Sequence, residues 1–277
     1  MKLGFLYAGQ GSQHPGMGAD LYAADAAFRQ AMDRAQACVD FDLLSLCFQD
    51  RDGLLDRTRY TQPCMVAFAA AMTAALAARG VVPAAAAGLS LGEYAALHAA
   101  GVFSLEDAVR TVAFRGQAME AAAEGVDSAM VAVLQLDREA VMHAAELARE
   151  MGARRCVPLR VSGPFHTPLM TPAAHALAAY LPQVPMEAPQ IPVAFNVLGG
   201  IGGPEEDVRS LLVRQVRSGV RMADCIRALL ALSPDALVEI GPGKVLSGFV
   251  KKIAPGFPVY AVETAQELEA LADTLGR

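Results

Sequence analysis

The sequence G-L-S-L-G at positions 88–92 constrains the fold of this chain more than any other stretch. It matches the pattern G-x-S-x-G, in which two glycines let the backbone turn sharply from a strand into a helix and leave the serine hydroxyl exposed. Glycine-rich turns also arise for structural reasons, so the pattern alone is a weak signal. It predicts a strand over 83–88, a helix from Ser90 to about Ala100, and Ser90 as a candidate nucleophile.

Strand and helix patterns alternate along most of the chain. Short apolar runs predict strands at 2–7, 191–195 and 236–240, with a last strand and helix beyond 257. Stretches with helical periodicity separate them, at 24–39, 41–48, 61–79, 104–123, 169–181, 205–216 and 221–232. This alternation predicts an α/β fold with a parallel sheet.

The composition is typical of a soluble globular protein. Hydrophobic residues make up 54% of the 277 residues, which is enough for a sizeable core. Charged, glycine or proline residues interrupt the apolar runs before roughly 18 positions, so we expect no membrane span. The apolar helix from Thr61 to about Arg79 is expected to be buried, with Pro63 in its first turn. The N-terminus lacks a signal-peptide pattern, and five scattered cysteines favour reduced thiols in the cytoplasm.

Several ligand classes receive no support from the sequence. The formal net charge of −6 gives no reason to expect nucleic acid. The histidines form no cluster of metal-site type, so no metal is predicted. The glycine-rich turn at 9–13 suggests dinucleotide binding, but the third glycine of G-x-G-x-x-G would fall at His14. We therefore predict no cofactor.

A serine hydroxyl is a weak nucleophile until a base takes its proton, so Ser90 needs a histidine nearby in the fold. His166 is the best candidate because it lies in a loop bounded by prolines, whereas the other histidines lie in predicted helices or a turn. From these residues alone, a surface-loop histidine is an equally good interpretation. His166 also lies well before the C-terminus, which disfavours the residue order of lipases and esterases.

Six short motifs follow one another along the chain. They are G-Q-G-S-Q at 9–13, T-Q-P at 61–63, G-L-S-L-G-E-Y at 88–94, R-G at 115–116, V-S-G-P-F-H at 161–166 and E-I-G-P-G-K-V-L at 239–246. In this order they resemble the malonyl-CoA:acyl-carrier-protein transacylases over nearly the whole chain. The resemblance implies an α/β-hydrolase-like large subdomain with a parallel sheet, and a ferredoxin-like small subdomain inserted into it.

The resemblance also implies the chemistry. Ser90 would attack the thioester carbonyl of malonyl-CoA while His166 accepts its proton, giving an acyl-serine. The backbone N–H groups of Gln10 and Leu91 would bind the oxyanion. A backbone carbonyl, expected near Leu232, would orient the histidine.

Three further residues are implied to bind the substrate. Arg115 would hold the malonyl carboxylate, because a guanidinium binds a carboxylate in a bidentate fork. Gln62 resembles the pocket glutamine of the family. Phe165 would leave little room for an α-methyl group on the acyl chain.

The chain departs from the family between Leu134 and Cys156. The family inserts four strands and two helices, which need roughly 45 residues. Here only one helix fits, predicted at 138–151 between strands at 130–134 and 156–161. We expect a more open site on that side.

The expected division follows from this shortening. Residues 1–126 and 162–277 would form the large catalytic subdomain. Residues 127–161 would form the reduced ferredoxin-like subdomain, with the order β-α-β.

The implied partners are an acyl carrier protein and a CoA thioester, in cytoplasmic fatty acid biosynthesis, with no membrane contact. Carrier proteins are generally acidic, so a basic docking face is expected. Its candidates are Arg154, Arg155, Arg160, Lys244, Lys251 and Lys252. Three alternatives stay open: a trans-acting polyketide acyltransferase, an acyl-thioester hydrolase, and a non-catalytic carrier-protein-binding paralogue.

Overall fold

The computed structural model describes residues 1–126, 128, 130–133, 156–158 and 163–275. The strands of its main sheet are β1 (Leu3–Tyr7), β2 (Pro83–Gly88), β5 (Val193–Phe195), β6 (Gly200–Ile201), β7 (Ala236–Ile240) and β8 (Val259–Val262). They are arranged in the order β6-β5-β2-β1-β7-β8. Every neighbouring pair is parallel except β5 and β6, which are antiparallel at one edge. The predicted α/β fold with a parallel sheet is confirmed, and the antiparallel β6 is an addition to it.

Helices surround this sheet. They are α1 (Ala19–Ala24), α2 (Ala26–Gln36), α3 (Leu43–Phe48), α4 (Thr58–Ala77), α5 (Gly92–Ala99), α6 (Leu105–Ala123), α7 (Thr171–Tyr180), α8 (Val208–Gln215), α9 (Met222–Ala231), α10 (Val245–Ile253) and α11 (Ala265–Leu275). Alternate residues of β1 face two separate cores, with Phe5 and Tyr7 in one and Leu6 in the other. Most helices match their predictions to within a few residues, but α1 and α10 were not predicted.

Strand β2 forms although its sequence contains four consecutive alanines, which are poor strand formers. Tertiary context decides here, because β1 and β5 pair with β2 on its two sides. Gly88 at the end of β2 is in register with Tyr7 at the end of β1. The segments that follow these two strands therefore leave the sheet side by side, and this edge carries the candidate site.

Helix α4 differs from its prediction in two respects. It begins at Thr58 rather than Thr61, so Pro63 lies beyond the first turn, where it leaves the Arg59 carbonyl without its helical donor. The helix is also long and apolar enough to cross a membrane by length and composition, contrary to our expectation. However, 78% of its most apolar 18-residue window is buried inside the protein, and it packs between α2 and α6 as a core helix does.

Two further strands form a small second sheet and, among the residues that the structure describes, do not pair with the main sheet. They are β3 (Val131–Val133) and β4 (Cys156–Pro158), which pair antiparallel. Both strands fall within the strands predicted there. The predicted helix at 138–151 lies outside the described residues, as do Arg154, Arg155 and Arg160. The division at 127–161 therefore stays a prediction.

Candidate active site

The turn that carries Ser90 is fixed by two glycines. Ser90 lies between β2 and α5 with a left-handed backbone, φ 52°. A Cβ atom on Gly88 would lie 1.9 Å from the carbonyl carbon of Gly92. A Cβ atom on Gly92 would lie 2.2 Å from the carbonyl oxygen of Tyr7. The sharp strand-to-helix turn predicted from G-x-S-x-G is therefore present between β2 and α5. It requires both glycines, because the backbone leaves no room for a side chain at either position.

Ser90 and His166 are brought together, although 76 positions separate them. The Ser90 hydroxyl lies 2.6 Å from Nε2 of His166. Nδ1 of His166 lies 2.9 Å from the backbone carbonyl oxygen of Gln215, to which it donates. A neutral imidazole with its proton on Nδ1 presents an unprotonated Nε2 to the hydroxyl. The pair thus has the geometry of a nucleophile and its general base.

The carbonyl that orients His166 corrects one expectation. We expected it near Leu232, but Gln215 supplies it, at the last residue of α8. The final carbonyls of a helix lack intrahelical donors and are free to accept such a bond. The His166 backbone N–H also donates to the carbonyl of Val216 at 3.2 Å. The end of α8 therefore holds His166 at both its ring and its backbone.

The surroundings of His166 favour its neutral form. Burial, together with the positive charge of Arg115, lowers its pKa to about 4. The imidazole is therefore unprotonated at neutral pH, which is the state that can accept a proton from Ser90.

Arg115 lies in α6 and is 1% exposed. Its Nη2 donates to the Ser90 hydroxyl at 3.2 Å and to Oε1 of Gln215 at 3.1 Å. The guanidinium carbon lies 5.3 Å from the centre of the Tyr94 ring. Burial lowers the pKa of Arg115, but a guanidinium stays protonated at neutral pH. A fixed positive charge therefore lies directly beside the nucleophile.

The neighbouring glycine explains why an R-G pair suits this position. A Cβ atom on Gly116 would lie 2.8 Å from the carbonyl oxygen of Thr58. Helix α6 therefore approaches the backbone of α4 closely at this point. A larger residue directly after Arg115 would therefore push the two helices apart.

The two proposed oxyanion donors lie on neighbouring loops. Gln10 is three residues beyond the end of β1, and Leu91 is three residues beyond the end of β2. A Cβ atom on Gly9 would lie only 2.6 Å from the Leu89 carbonyl oxygen, so the two loops touch. Within the described residues, neither the Gln10 nor the Leu91 backbone N–H has a hydrogen-bond partner. Both donors are thus available.

Phe165 adjoins the Ser90–His166 pair, whereas Gln62 makes no hydrogen bond to it in the described residues. Phe165 is 5% exposed and directly precedes His166 in the chain. Gln62 is fully buried, and its Nε2 lies 3.4 Å from the sulfur of Met119. Its Oε1 has no partner among the described residues, and no hydrogen bond joins Gln62 to Ser90. Its pocket role stays a prediction.

Two further residues contact the nucleophile and were missed by the sequence reasoning. Nε2 of Gln215 donates to the Ser90 backbone carbonyl at 2.9 Å. Oδ1 of Asn196 accepts from the Ser90 backbone N–H at 2.6 Å. Gln215 carries no local signal, because it is one of several polar residues in an amphipathic helix. Asn196 carries one, since it is the only asparagine in the chain and follows a predicted strand.

Across the part of the chain that the structure describes, no group of three or more His, Cys, Asp or Glu residues could hold a metal ion.

Comparison with known proteins decides the family. The acyl transferase domain family matches residues 4–146. The malonyl CoA-acyl carrier protein transacylase of Bacillus subtilis (strain 168) is 36% identical over 308 aligned positions, which cover 99% of this chain and 97% of that protein. The chain belongs to the malonyl CoA-acyl carrier protein transacylase family. The 308 positions exceed the 277 residues of this chain, so the transacylase from Bacillus has residues that this family member lacks.

Solved structures of transacylases have the same fold. The enzyme from Streptococcus pneumoniae is 39% identical, with a TM-score of 0.91 over 99% of this chain and 100% of its own. A malonyl-transacylase in complex with a type II polyketide acyl carrier protein is 32% identical, with a TM-score of 0.90 over 99% and 100% of the two chains.

Proposed function

We propose that this transacylase transfers a malonyl group from malonyl-CoA to the phosphopantetheine thiol of an acyl carrier protein through a malonyl-Ser90 intermediate. The observation that carries the proposal is the position of the Ser90 hydroxyl, 2.6 Å from Nε2 of His166 and 3.2 Å from Nη2 of Arg115. A nucleophile thus touches both a base and a fixed cation.

The first half reaction uses the nucleophile and the base. Ser90 Oγ attacks the thioester carbonyl carbon, and Nε2 of His166 takes the hydroxyl proton. The N–H groups of Gln10 and Leu91 bind the oxyanion of the tetrahedral intermediate. Its collapse breaks the carbon–sulfur bond, and the proton on His166 passes to the departing CoA thiolate. The product is an ester of Ser90.

Arg115 supplies the selectivity for malonyl over acetyl. The malonyl carboxylate is separated from the reacting carbonyl by a single methylene group, so an acyl group on Ser90 Oγ places it within reach of the neighbouring guanidinium. Burial removes competing water and strengthens this interaction. An acetyl group leaves the guanidinium without an anionic partner.

The second half reaction requires a carrier protein at the mouth of the site. The turn that leads from β7 to helix α10 contacts the segment that carries Gln10, since a Cβ atom on Gly241 would lie 2.7 Å from Cβ of Ala8. Lys251 and Lys252 are exposed near the end of this helix, as is Phe249 one turn before. We infer that the acidic carrier protein docks on this face, because complementary charge accelerates encounter.

A charge reversal tests the docking face. In the double variant Lys251→Glu/Lys252→Glu, we expect kcat/KM for the carrier protein to fall roughly tenfold, while acylation by malonyl-CoA is retained. Arg51→Glu is the matched control, because Arg51 is exposed and its side chain makes no hydrogen bond or ion pair within the described residues. Equal transfer rates for the double variant and the control would remove this face from the proposal.

We further infer a cytoplasmic role in fatty acid biosynthesis. Cys38, Cys47, Cys64 and Cys225 are free thiols, which supports a reducing compartment. Transfer to a polyketide carrier protein is the alternative, because one similar structure contains such a carrier. Comparing kcat/KM for the two classes of carrier protein distinguishes them.

The decisive experiment for the proposed function is incubation with malonyl-CoA followed by intact-mass measurement. We expect one malonyl group on the wild type and none on Ser90→Ala. Arg115→Ala should lose the preference for malonyl-CoA over acetyl-CoA. Absence of an adduct on the wild type would contradict the proposal. Discharge of the adduct by water as fast as by carrier protein would instead establish a thioester hydrolase.

A further inference from the structure

The backbone at Ser90 needs support from outside its own turn. A non-glycine residue with φ 52° is in a sparsely populated conformation. Such conformations persist when the surrounding structure over-determines them. The two glycines of the motif permit the turn but donate no hydrogen bond to Ser90, so other groups must hold its peptide units.

The side chain of Asn196 binds on both sides of the elbow. Its Oδ1 accepts from the Ser90 backbone N–H at 2.6 Å, and its Nδ2 donates to the Gly88 carbonyl at 2.7 Å. In a parallel sheet, a residue opposite residue j on the neighbouring strand makes two backbone hydrogen bonds. Its N–H donates to the carbonyl of residue j−1, and its carbonyl accepts from the N–H of residue j+1. The carboxamide of Asn196 makes this same pair of bonds around Leu89.

The position of Asn196 explains this pairing. It directly follows β5, whose regular pairing with β2 has its last register pair at Ala87 and Ala194. The side-chain amide therefore extends the ladder beyond the point where the backbones separate. Asn196 is fully buried, so no water replaces these two bonds.

Asn196 is itself held by the first turn of α5. Its backbone N–H donates to Oε2 of Glu93 at 2.5 Å, and Glu93 is fully buried. Burial raises the pKa of Glu93 to about 8. Burial thus favours the protonated carboxyl, whose carbonyl oxygen still accepts a hydrogen bond.

We propose that Asn196, held by Glu93, is a positioning residue that fixes the Ser90 backbone so that the hydroxyl meets His166. The inference rests on the proposed function of Ser90 as the nucleophile. Because Asn196 occupies the Ser90 N–H, that group does not serve as an oxyanion donor, and the next N–H, of Leu91, takes this role. Asn196 thus determines the direction of the hydroxyl and the identity of one oxyanion donor.

The first test replaces the carboxamide by a side chain of similar size without hydrogen bonds. In Asn196→Leu, we expect the rate constant of Ser90 acylation by malonyl-CoA to fall about 100-fold, with KM changed by less than about threefold. Rapid quenching and intact-mass measurement give both the rate and the final extent. Complete but slow acylation supports positioning. A normal rate constant in the folded fraction, with lowered thermal stability only, would overturn it.

The second test uses Asn196→Asp and does not depend on the leucine variant folding. A protonated aspartate offers one acceptor and one donor, as the carboxamide does, whereas the carboxylate offers no donor to Gly88. We expect the acylation rate, divided by that of the wild type at the same pH, to rise as the pH falls from about 8 to 5. Division by the wild type removes the pH effects that Glu93, His166 and Arg115 have in both proteins, and Cys225 beside Asn196 stays a thiol because burial raises its pKa to about 12. A ratio independent of pH would contradict the inference.

A neighbouring substitution controls for general loosening of the same strand end. The Arg221 guanidinium donates to the Leu198 carbonyl at 2.8 Å, two residues after Asn196. Arg221→Ala removes this bond but keeps the backbone N–H of residue 221 that donates to the Asn196 carbonyl, and we expect its acylation rate to stay within about threefold of the wild type. An absent adduct on the wild type would sink the proposed function. A normal wild type with an equally fast Asn196→Leu would sink only the present inference.

Discussion

The Ser90 hydroxyl and Nε2 of His166 lie 2.6 Å apart, and both residues have a left-handed backbone, with φ 52° and 61°. The two residues are nevertheless held in different ways. The turn at Ser90 requires the glycines two residues to either side of it, because the backbone leaves no room for a Cβ atom there. The backbone of His166 is held by Val216, and its ring by Gln215, about fifty positions further along the chain. The turn of the nucleophile therefore needs a local glycine pattern as well as the distant Asn196 side chain, whereas the base is held by contacts with a distant segment.

This difference predicts how substitutions at the Ser90 turn and in the His166 loop affect folding and activity. The elbow has no free volume, so an added methyl group disrupts the fold before it affects chemistry. The histidine loop depends on individual hydrogen bonds, so its variants should fold and lose activity by degrees. The following substitutions test this contrast from the largest expected effect to the smallest.

Gly92→Ala should have the largest effect. Its Cβ would lie 2.2 Å from the Tyr7 carbonyl oxygen in the central strand, so we expect the free energy of unfolding to fall by about 3 kcal/mol. Urea denaturation measures this change. Gly248→Ala in α10 is the matched control, because its Cβ would meet nothing within 4 Å. That control should stabilise the protein by about 0.5–1 kcal/mol. Equal stability of Gly92→Ala and the wild type would contradict the proposed difference between the Ser90 turn and the His166 loop.

Gln215→Ala should come second, with an effect on activity rather than on folding. It keeps the backbone carbonyl that orients His166 but removes the bonds to Arg115 and to the Ser90 carbonyl. We expect acylation by malonyl-CoA to slow about tenfold. Gln215→Glu places a carboxylate against Arg115 and should raise KM for malonyl-CoA above that of the alanine variant. A lower KM in the glutamate variant would show that Arg115 does not bind the substrate carboxylate.

Arg115→Gln should change the titration of His166. The positive charge of Arg115 disfavours a second positive charge nearby and so helps to lower the pKa of His166 to about 4. Its removal should raise that pKa, by about 1 unit for a charge at this distance. The base would then lose its neutral form at a higher pH as the solution is acidified. NMR titration of the imidazole measures both proteins, and an unchanged or lower pKa in the variant would refute the electrostatic coupling.

Thr167→Val should have the smallest effect. The Thr167 hydroxyl donates to the Pro164 carbonyl at 2.7 Å and accepts from the Leu169 N–H at 3.3 Å. Loss of these bonds should lower the free energy of unfolding by about 1 kcal/mol and slow acylation about twofold. A variant that folds normally but loses all acylation would show that the histidine loop is as intolerant as the elbow.

The sequence allowed prediction of what depends on neighbours along the chain. The G-x-S-x-G turn, the cap of α6 at Ser104 and most helices follow from spacing and residue type. The seven proposed site residues came from motifs typical of the family, and of these Ser90, His166 and Arg115 are brought into contact.

Contacts set by the strand order were not predictable from spacing. No local pattern shows that β5 lies next to β2, so the single asparagine at the end of β5 could not be assigned to the Ser90 turn. The same reason misplaced the carbonyl that orients His166. Leu232 and Gln215 both lie at or just beyond a helix end, and only the packing of α8 against the histidine loop distinguishes them. Strand β2 forms despite its alanines for a related reason, since its two neighbours supply what its own residues lack.

The left-handed backbone at Ser90 also limits which nucleophiles this elbow can carry. A side chain branched at Cβ is strongly disfavoured at positive φ, whereas an unbranched one is tolerated more readily. Threonine has the same reactive hydroxyl as serine, but it is branched at Cβ and so is disfavoured at this φ. Cysteine is unbranched at Cβ and is tolerated. An engineered or evolving version of this enzyme can therefore exchange oxygen for sulfur at position 90 more easily than it can gain one methyl group.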